Sequence, residues 1–208
     1  MSAATATAER QSLFFRALGG TQRARMLDAI VWAVAEKGYP NVTVADVVAR
    51  AGVSRRTFYE EFDDKLGCFL AAYETGAEQV LAEIGVELRA MRGADRSDRL
   101  AAGIETYLRE LAAEAEFARV LIVDVLGVGP EALDLRERMR TRFAQHWRGI
   151  GLEDGKLVRA LVGGIAELVL AEILAGRAKE LPELAPVLVR FASAVLDGAG
   201  ERSGVWVA

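Results

Sequence analysis

The stretch "TVADVVARAGVSRRTFYEEFDDK", residues 43–65, decides the fold. Val44, Val47 and Val48 recur at helical spacing with Ala51 behind them, so residues 44–51 read as a short helix with one buried side. Thr43 stands where a hydroxyl caps the first exposed amides. Gly52 supplies the bend, because it tolerates a left-handed backbone. Val53 fills the angle that follows, and Ser54 caps a second short helix, "RRTFYEEF". Phe58 and Phe62, four apart, belong in a small core. Asp63 and Asp64 read as caps of the next helix, which carries Leu66, Phe69, Leu70 and Tyr73. Two short helices joined by Ala-Gly-Val-Ser form a helix-turn-helix.

Upstream, Met26, Ile30, Ala33 and Val34 fall at three- and four-residue spacing, with Leu27 and Val31 widening the stripe. Thr21 is the expected cap of that helix and Gly38 its stop. Pro40 forbids continuation. Residues 1–20 read as a flexible arm, in which Arg10 and Arg16 are placed to touch a DNA backbone and Phe14 and Phe15 to dock onto the domain.

The whole chain has 208 residues, 52% hydrophobic, with only 4 prolines. No Asn-Gly or Asp-Gly turn separates alternating segments, so the expectation is all-α. Cys68 and His146 are each the one residue of their type. That excludes an internal disulfide, a Cys/His zinc site and a di-iron bundle, which needs two Glu-x-x-His motifs. No metal and no cofactor are expected. No P-loop and no Gly-x-Ser-x-Gly occur, so no enzyme is expected. No apolar run reaches about 18 residues and the N-terminus lacks a basic start, so the protein is expected to be cytoplasmic, with no membrane partner.

The net charge of −4 offers nucleic acid no overall attraction. Its distribution is uneven. Residues 1–67 carry 9 Lys/Arg against 8 Asp/Glu, net +1; residues 68–208 carry 17 against 22, net −5. Local placement of the basic groups is what a phosphate surface needs.

Thr43 to Gly76 resembles the DNA-binding domain of the TetR (tetracycline-repressor-like) transcriptional regulators. The shared features are the Thr before the second helix, Ala-Gly-Val-Ser, Thr-Phe-Tyr, Phe62 and Lys65. The resemblance spans about residues 21–76. Beyond the arm at 1–20, it implies a three-helix helix-turn-helix DNA-binding domain at 21–67 and a helical ligand-binding and dimerisation domain at 68–208.

A short recognition helix enters the major groove by its first turn. Arg55 and Arg56 sit there, and an arginine fork matches guanine O6 and N7. Ser54, Thr57 and Tyr59 offer hydroxyls to phosphate, and Lys65 a cation. The resemblance implies that Thr43, Tyr59 and Lys65 hold the DNA backbone and that Arg55, Arg56 and Thr57 lie nearest the bases. A second Arg at 56 departs from the small residue often found there, and leaves open which arginine reads a base. The bland alternative for the pair is a solvated face, with Glu60 as partner.

Downstream, residues 95–129 read as two helices breaking near Ala112–Glu116, and a third begins at Pro130. The penultimate helix is apolar almost all round: Leu157, Leu161, Ile165 and Leu168 form one line, Val158, Val162, Val169 and Ile173 another. With Leu184, Val187, Leu188, Phe191 and Val195 on the last helix, this suggests a two-fold four-helix interface, the alternative being an internal core within one subunit. Leu161, Ile165, Leu168, Leu184, Leu188 and Phe191 are its expected residues. Tyr107, Phe117, Phe143, His146 and Trp147 are candidate liners of an effector cavity, with Arg119 and Asp124 as polar anchors. The expected function is a homodimeric repressor on a palindromic double-stranded DNA operator, released by a small-molecule effector. The alternative is a helical interaction module whose helix-turn-helix binds protein.

Overall fold

The computed structural model describes Phe15, residues 18–148 and residues 154–201, of which the side chains at 146–148 and 199–201 are excepted. Every regular element among them is helical, in the order α1 (Gln22–Lys37), a 3-10 turn (Tyr39–Asn41), α2 (Val44–Ala51), α3 (Arg55–Glu61), α4 (Lys65–Ala90), α5 (Arg96–Ala113), α6 (Ala115–Ile122), a 3-10 turn (Asp124–Gly127), α7 (Pro130–Arg148), α8 (Gly155–Leu174), a 3-10 stretch (Ala178–Leu184) and α9 (Ala185–Glu201). The expected all-α architecture is what the chain adopts. No helix among the described residues is long and apolar enough to cross a membrane.

The contacts divide the chain into two compact units. One takes the chain up to Gln79 together with Glu114–Leu135; the other takes Val80–Ala113 and the chain from Arg136 on. The expected boundary at 67/68 falls inside α4, which contributes to both units.

In the first unit, local chemistry starts each helix. Thr21 accepts from the Ala24 amide at 3.1 Å, and Gly38 closes α1 by donating to Val34. Eight residues of α1 are buried, from Ala24 to Val34. That is wider than one stripe, because α1 packs against both α2 and α6. Gly52 ends α2 in the left-handed region, at φ 62°. Asp64 accepts from the Gly67 amide at 2.7 Å and starts α4. Phe58 and Phe62 are buried with ring centroids 5.6 Å apart, as their spacing predicts. Phe15 is fully buried and meets Phe117 of α6 edge-on at 5.3 Å. Gly76 of α4 lies beneath the same Phe117 ring, where a methyl group would stand 2.4 Å from Cε1 and Cζ. Cys68 is buried, and burial pushes its thiol up to about 12.

In the second unit, α5 packs on α9 and on the 3-10 stretch before it, and α8 packs on the same two elements. Leu100, Ile104, Leu108 and Leu111 of α5 are buried. So are Val158, Leu161, Ile165, Val169 and Ile173 of α8. This stripe at three- and four-residue spacing takes members from both apolar lines read in the sequence. Gly164 lets the Phe191 ring lie across α8: a Cβ there would be 3.1 Å from Cε1.

Candidate nucleic-acid interface

Three contacts fix α3. Ser54 accepts from the Thr57 amide at 3.0 Å, and the two hydroxyls share a further hydrogen bond at 2.9 Å. Phe58 plugs into the core below. Arg23 of α1 donates to Glu61 at 3.1 Å and lies 4.7 Å over the Phe62 ring, tying the helix end to α1. With Phe58 turned inward, Arg55, Arg56 and Tyr59 stand exposed together. Arg55 makes no hydrogen bond or ion pair among the described residues. Arg56 Nε donates to Glu60 Oε1 at 2.9 Å. The pairing weighed for Arg56 in the sequence is therefore present, along the helix and in solvent. Such an exposed i,i+4 pair contributes only about 0.3–0.5 kcal/mol to folding.

Thr43 is engaged on both sides. Its hydroxyl accepts from the Asp46 amide at 3.2 Å and donates to Asp46 Oδ2 at 2.7 Å, while its own amide donates to that carboxylate at 2.9 Å. This is a capping box with Asp in place of Glu. Lys37 donates to the other oxygen of Asp46. Hydrogen bonds from Lys37 and Thr43 hold that carboxyl well below the usual range.

Lys65 reaches inward. Its Nζ donates to the carbonyls of Tyr39 at 2.9 Å and Val42 at 2.8 Å, and lies 4.2 Å from the Tyr39 ring centroid. Two of its three protons thus hold the turn before α2 against the start of α4, where the resemblance implied a phosphate contact. Sequence reading missed Arg23, Tyr39 and Asp46. Asp46 had a signal, being three residues after a capping Thr; Arg23 and Tyr39 had none, since their partners lie far along the chain.

The expected effector liners divide between the two units. In the first, Phe117 is buried against Phe15. Arg119 Nε lies 3.7 Å from Asp124 Oδ2, beyond hydrogen-bond range, and that buried oxygen has no hydrogen-bond partner among the described residues. Burial raises the Asp124 carboxyl, and Arg119 offsets part of the rise. In the second unit, the Tyr107 and Phe143 rings meet edge-on at 5.7 Å. The side chains of His146 and Trp147 lie outside the described residues.

The expected subunit-interface residues also separate. Leu161, Ile165 and Leu188 are buried in the protomer's own core, because the inner stripe of α8 and α9 turns them toward α5 and the preceding 3-10 stretch. They are not on the outer face. Leu184 is half-buried. Leu168 and Phe191 are exposed, by 42% and 40%, and are joined by Leu174 at 66% and Val187 at 41%.

Residues 26–72 match the family model of the bacterial regulatory proteins of the tetR family. Among curated proteins, none matches the sequence. Solved structures do share its fold. The fatty acid degradation regulator FadR from Bacillus halodurans superposes with a TM-score of 0.74 at 17% identity, over 81% of this chain and 93% of that one. FadR from Bacillus subtilis, solved in complex with stearoyl-CoA, gives 0.71 at 21% identity, over 80% and 95%. A TetR-family transcriptional regulator from Streptomyces coelicolor gives 0.61 at 17% identity, over 95% and 96%. At these identities the likeness is one of fold. Residues 26–72 thus match the tetR regulatory family, and the chain shares its all-helical fold with solved regulators of that family.

Proposed function

We propose that the chain is a homodimeric repressor that binds a palindromic operator and is released by a small-molecule effector. The observation that carries this reading is the joint exposure of Arg55, Arg56 and Tyr59 on α3, a helix anchored by Phe58 and by the Arg23–Glu61 pair. Arg55, Arg56 and Thr57 lie on the turn of α3 that enters the major groove; Ser54 and Tyr59 serve phosphates, with Thr43 and Lys65 fixing the helices that present them. One such helix buries too little surface for tight specific binding, so two act at fixed spacing. The exposed Leu168, Leu174, Val187 and Phe191 support a two-fold contact through α8 and α9. Residues 21–67 bind DNA, and residues 68–208 supply the partner contact and the effector site in a cytoplasmic protein.

The effector acts by binding one of two arrangements of the dimer better than the other. The class to test first is a long-chain acyl-CoA, a choice supported by the fold shared with the Bacillus subtilis regulator solved with stearoyl-CoA. Tyr107 and Phe143, whose rings meet within the second unit, are its proposed contacts.

The test is selection of genomic fragments with purified protein, then titration of the best fragment at several salt concentrations with and without stearoyl-CoA. A palindromic motif, bound by two chains and released by the acyl-CoA, bears the reading out. Sequence-blind binding overturns it. Tight palindrome binding that ignores acyl-CoA overturns only the effector class.

A further inference from the structure

Two adjacent arginines open the recognition helix, yet their surroundings differ. Arg55 has no polar partner among the described residues. Arg56 has one, and the partner takes a particular edge of it: Nε donates to Glu60 Oε1 at 2.9 Å. The two side chains are 89% and 57% exposed, so the pair stands clear of the protein body. Its geometry follows from the helix. Residues four apart share a face, and side chains lean toward the N-terminus, so Glu60 reaches back alongside Arg56. The other acid of this turn, Glu61, is committed to Arg23.

A guanidinium has five donors in a rigid fork. With Nε engaged, the outer edge carrying Nη1 and Nη2 stays free, and that edge meets guanine O6 and N7 together. An arginine already held in direction loses less side-chain freedom on binding than one that is not. A carboxylate beside it also repels phosphate, which disfavours a backbone contact at that position.

We propose that Glu60 is a positioning residue that sets Arg56 as the guanine-reading side chain of α3 and leaves Arg55 to the phosphates. This rests on the operator reading above. Glu60 lowers affinity for DNA in general and raises discrimination at one base pair.

The experiment selects half-sites from random DNA with the wild-type chain and with Arg55→Ala, Arg56→Ala, Glu60→Ala and Glu60→Gln. Each variant's preference is then measured by competition, and its melting recorded. A bidentate arginine–guanine contact discriminates by about 5- to 150-fold, so Arg56→Ala removes a preference of that size at one base pair. Glu60→Ala weakens the same preference by about two- to tenfold, while binding random DNA more tightly at low salt. Glu60→Gln keeps an acceptor for Nε and retains most of the discrimination. Adding Glu60→Ala to Arg56→Ala changes the preference no further. Arg55→Ala lowers affinity for all sequences alike. The proposal is overturned if Glu60→Ala leaves the preference intact, or if Arg55→Ala erases the guanine while Arg56→Ala spares it. Failure of the operator reading is separately visible: the wild-type chain itself then enriches no sequence.

Discussion

Lys65 Nζ donates to the Val42 carbonyl at 2.8 Å, joining the first residue of α4 to the chain just before α2. With its second bond, to Tyr39, it holds the turn that sets the angle between α1 and α2. Lys65→Ala leaves two partly buried carbonyls without this donor and is expected to cost about 1–3 kcal/mol. Urea unfolding measures the loss. DNA affinity falls with it, and added salt does not abolish the difference, as it would for an exposed cation lost from a phosphate contact.

Gly76 and Phe117 are in such close approach that a methyl group on Gly76 would stand 2.4 Å from the ring. Ordinary helix propensity favours Ala over Gly by about 1 kcal/mol. Here overpacking outweighs it, and Gly76→Ala is expected to destabilise by about 1–3 kcal/mol net. Phe117→Leu makes room for the methyl. A double-mutant cycle read by chemical denaturation is expected to show the two changes together costing less than their sum.

Asp46 sets a pH dependence. Lys37 and Thr43 hold its carboxyl below the ordinary range in the folded chain, so the unfolded chain takes up a proton first as pH falls. The stability it contributes is fully present above the ordinary carboxylate range and is lost as pH falls through that range toward the depressed folded value. Asp46→Asn is expected to be less stable at neutral pH and to have a flatter acid limb. Melting temperatures from neutral pH downward, compared between the two proteins, check both.

The outer and inner faces of α8 and α9 respond differently to charge. Leu168→Glu with Phe191→Glu places two carboxylates on exposed apolar positions. The expected result is a folded monomer, seen as an unchanged helical spectrum with a halved mass in sedimentation. Leu188→Glu instead buries a charge in the protomer's own core, which costs several kcal/mol and unfolds the unit.

The helix-turn-helix is legible in the sequence because its punctuation is local. Thr21, Thr43 and Ser54 each serve an amide three residues on, and Gly52 makes its turn alone. Lys65 is less so: its acceptors lie 23 and 26 residues back, and nothing in the sequence marks a carbonyl as waiting for a cation. The same holds for Arg23 and Glu61, 38 residues apart. In α8 the difficulty is different. Apolar residues run almost all round it, so periodicity finds the helix but cannot say which stripe its own protomer covers. Leu161 and Ile165 point into the core while Leu168, three residues past Ile165, points out.

The single thiol has a practical side. Cys68 is the chain's one cysteine, and it is buried, so burial both keeps the thiol protonated and shields it from reagents. The native chain is nearly silent toward maleimides and similar reagents. A cysteine introduced at an exposed position such as Val86, which is 53% exposed, becomes the one reactive handle without any prior removal. A single fluorophore or spin label mounted there reports on the folded protein alone, so its movement on adding operator or effector can be followed in solution.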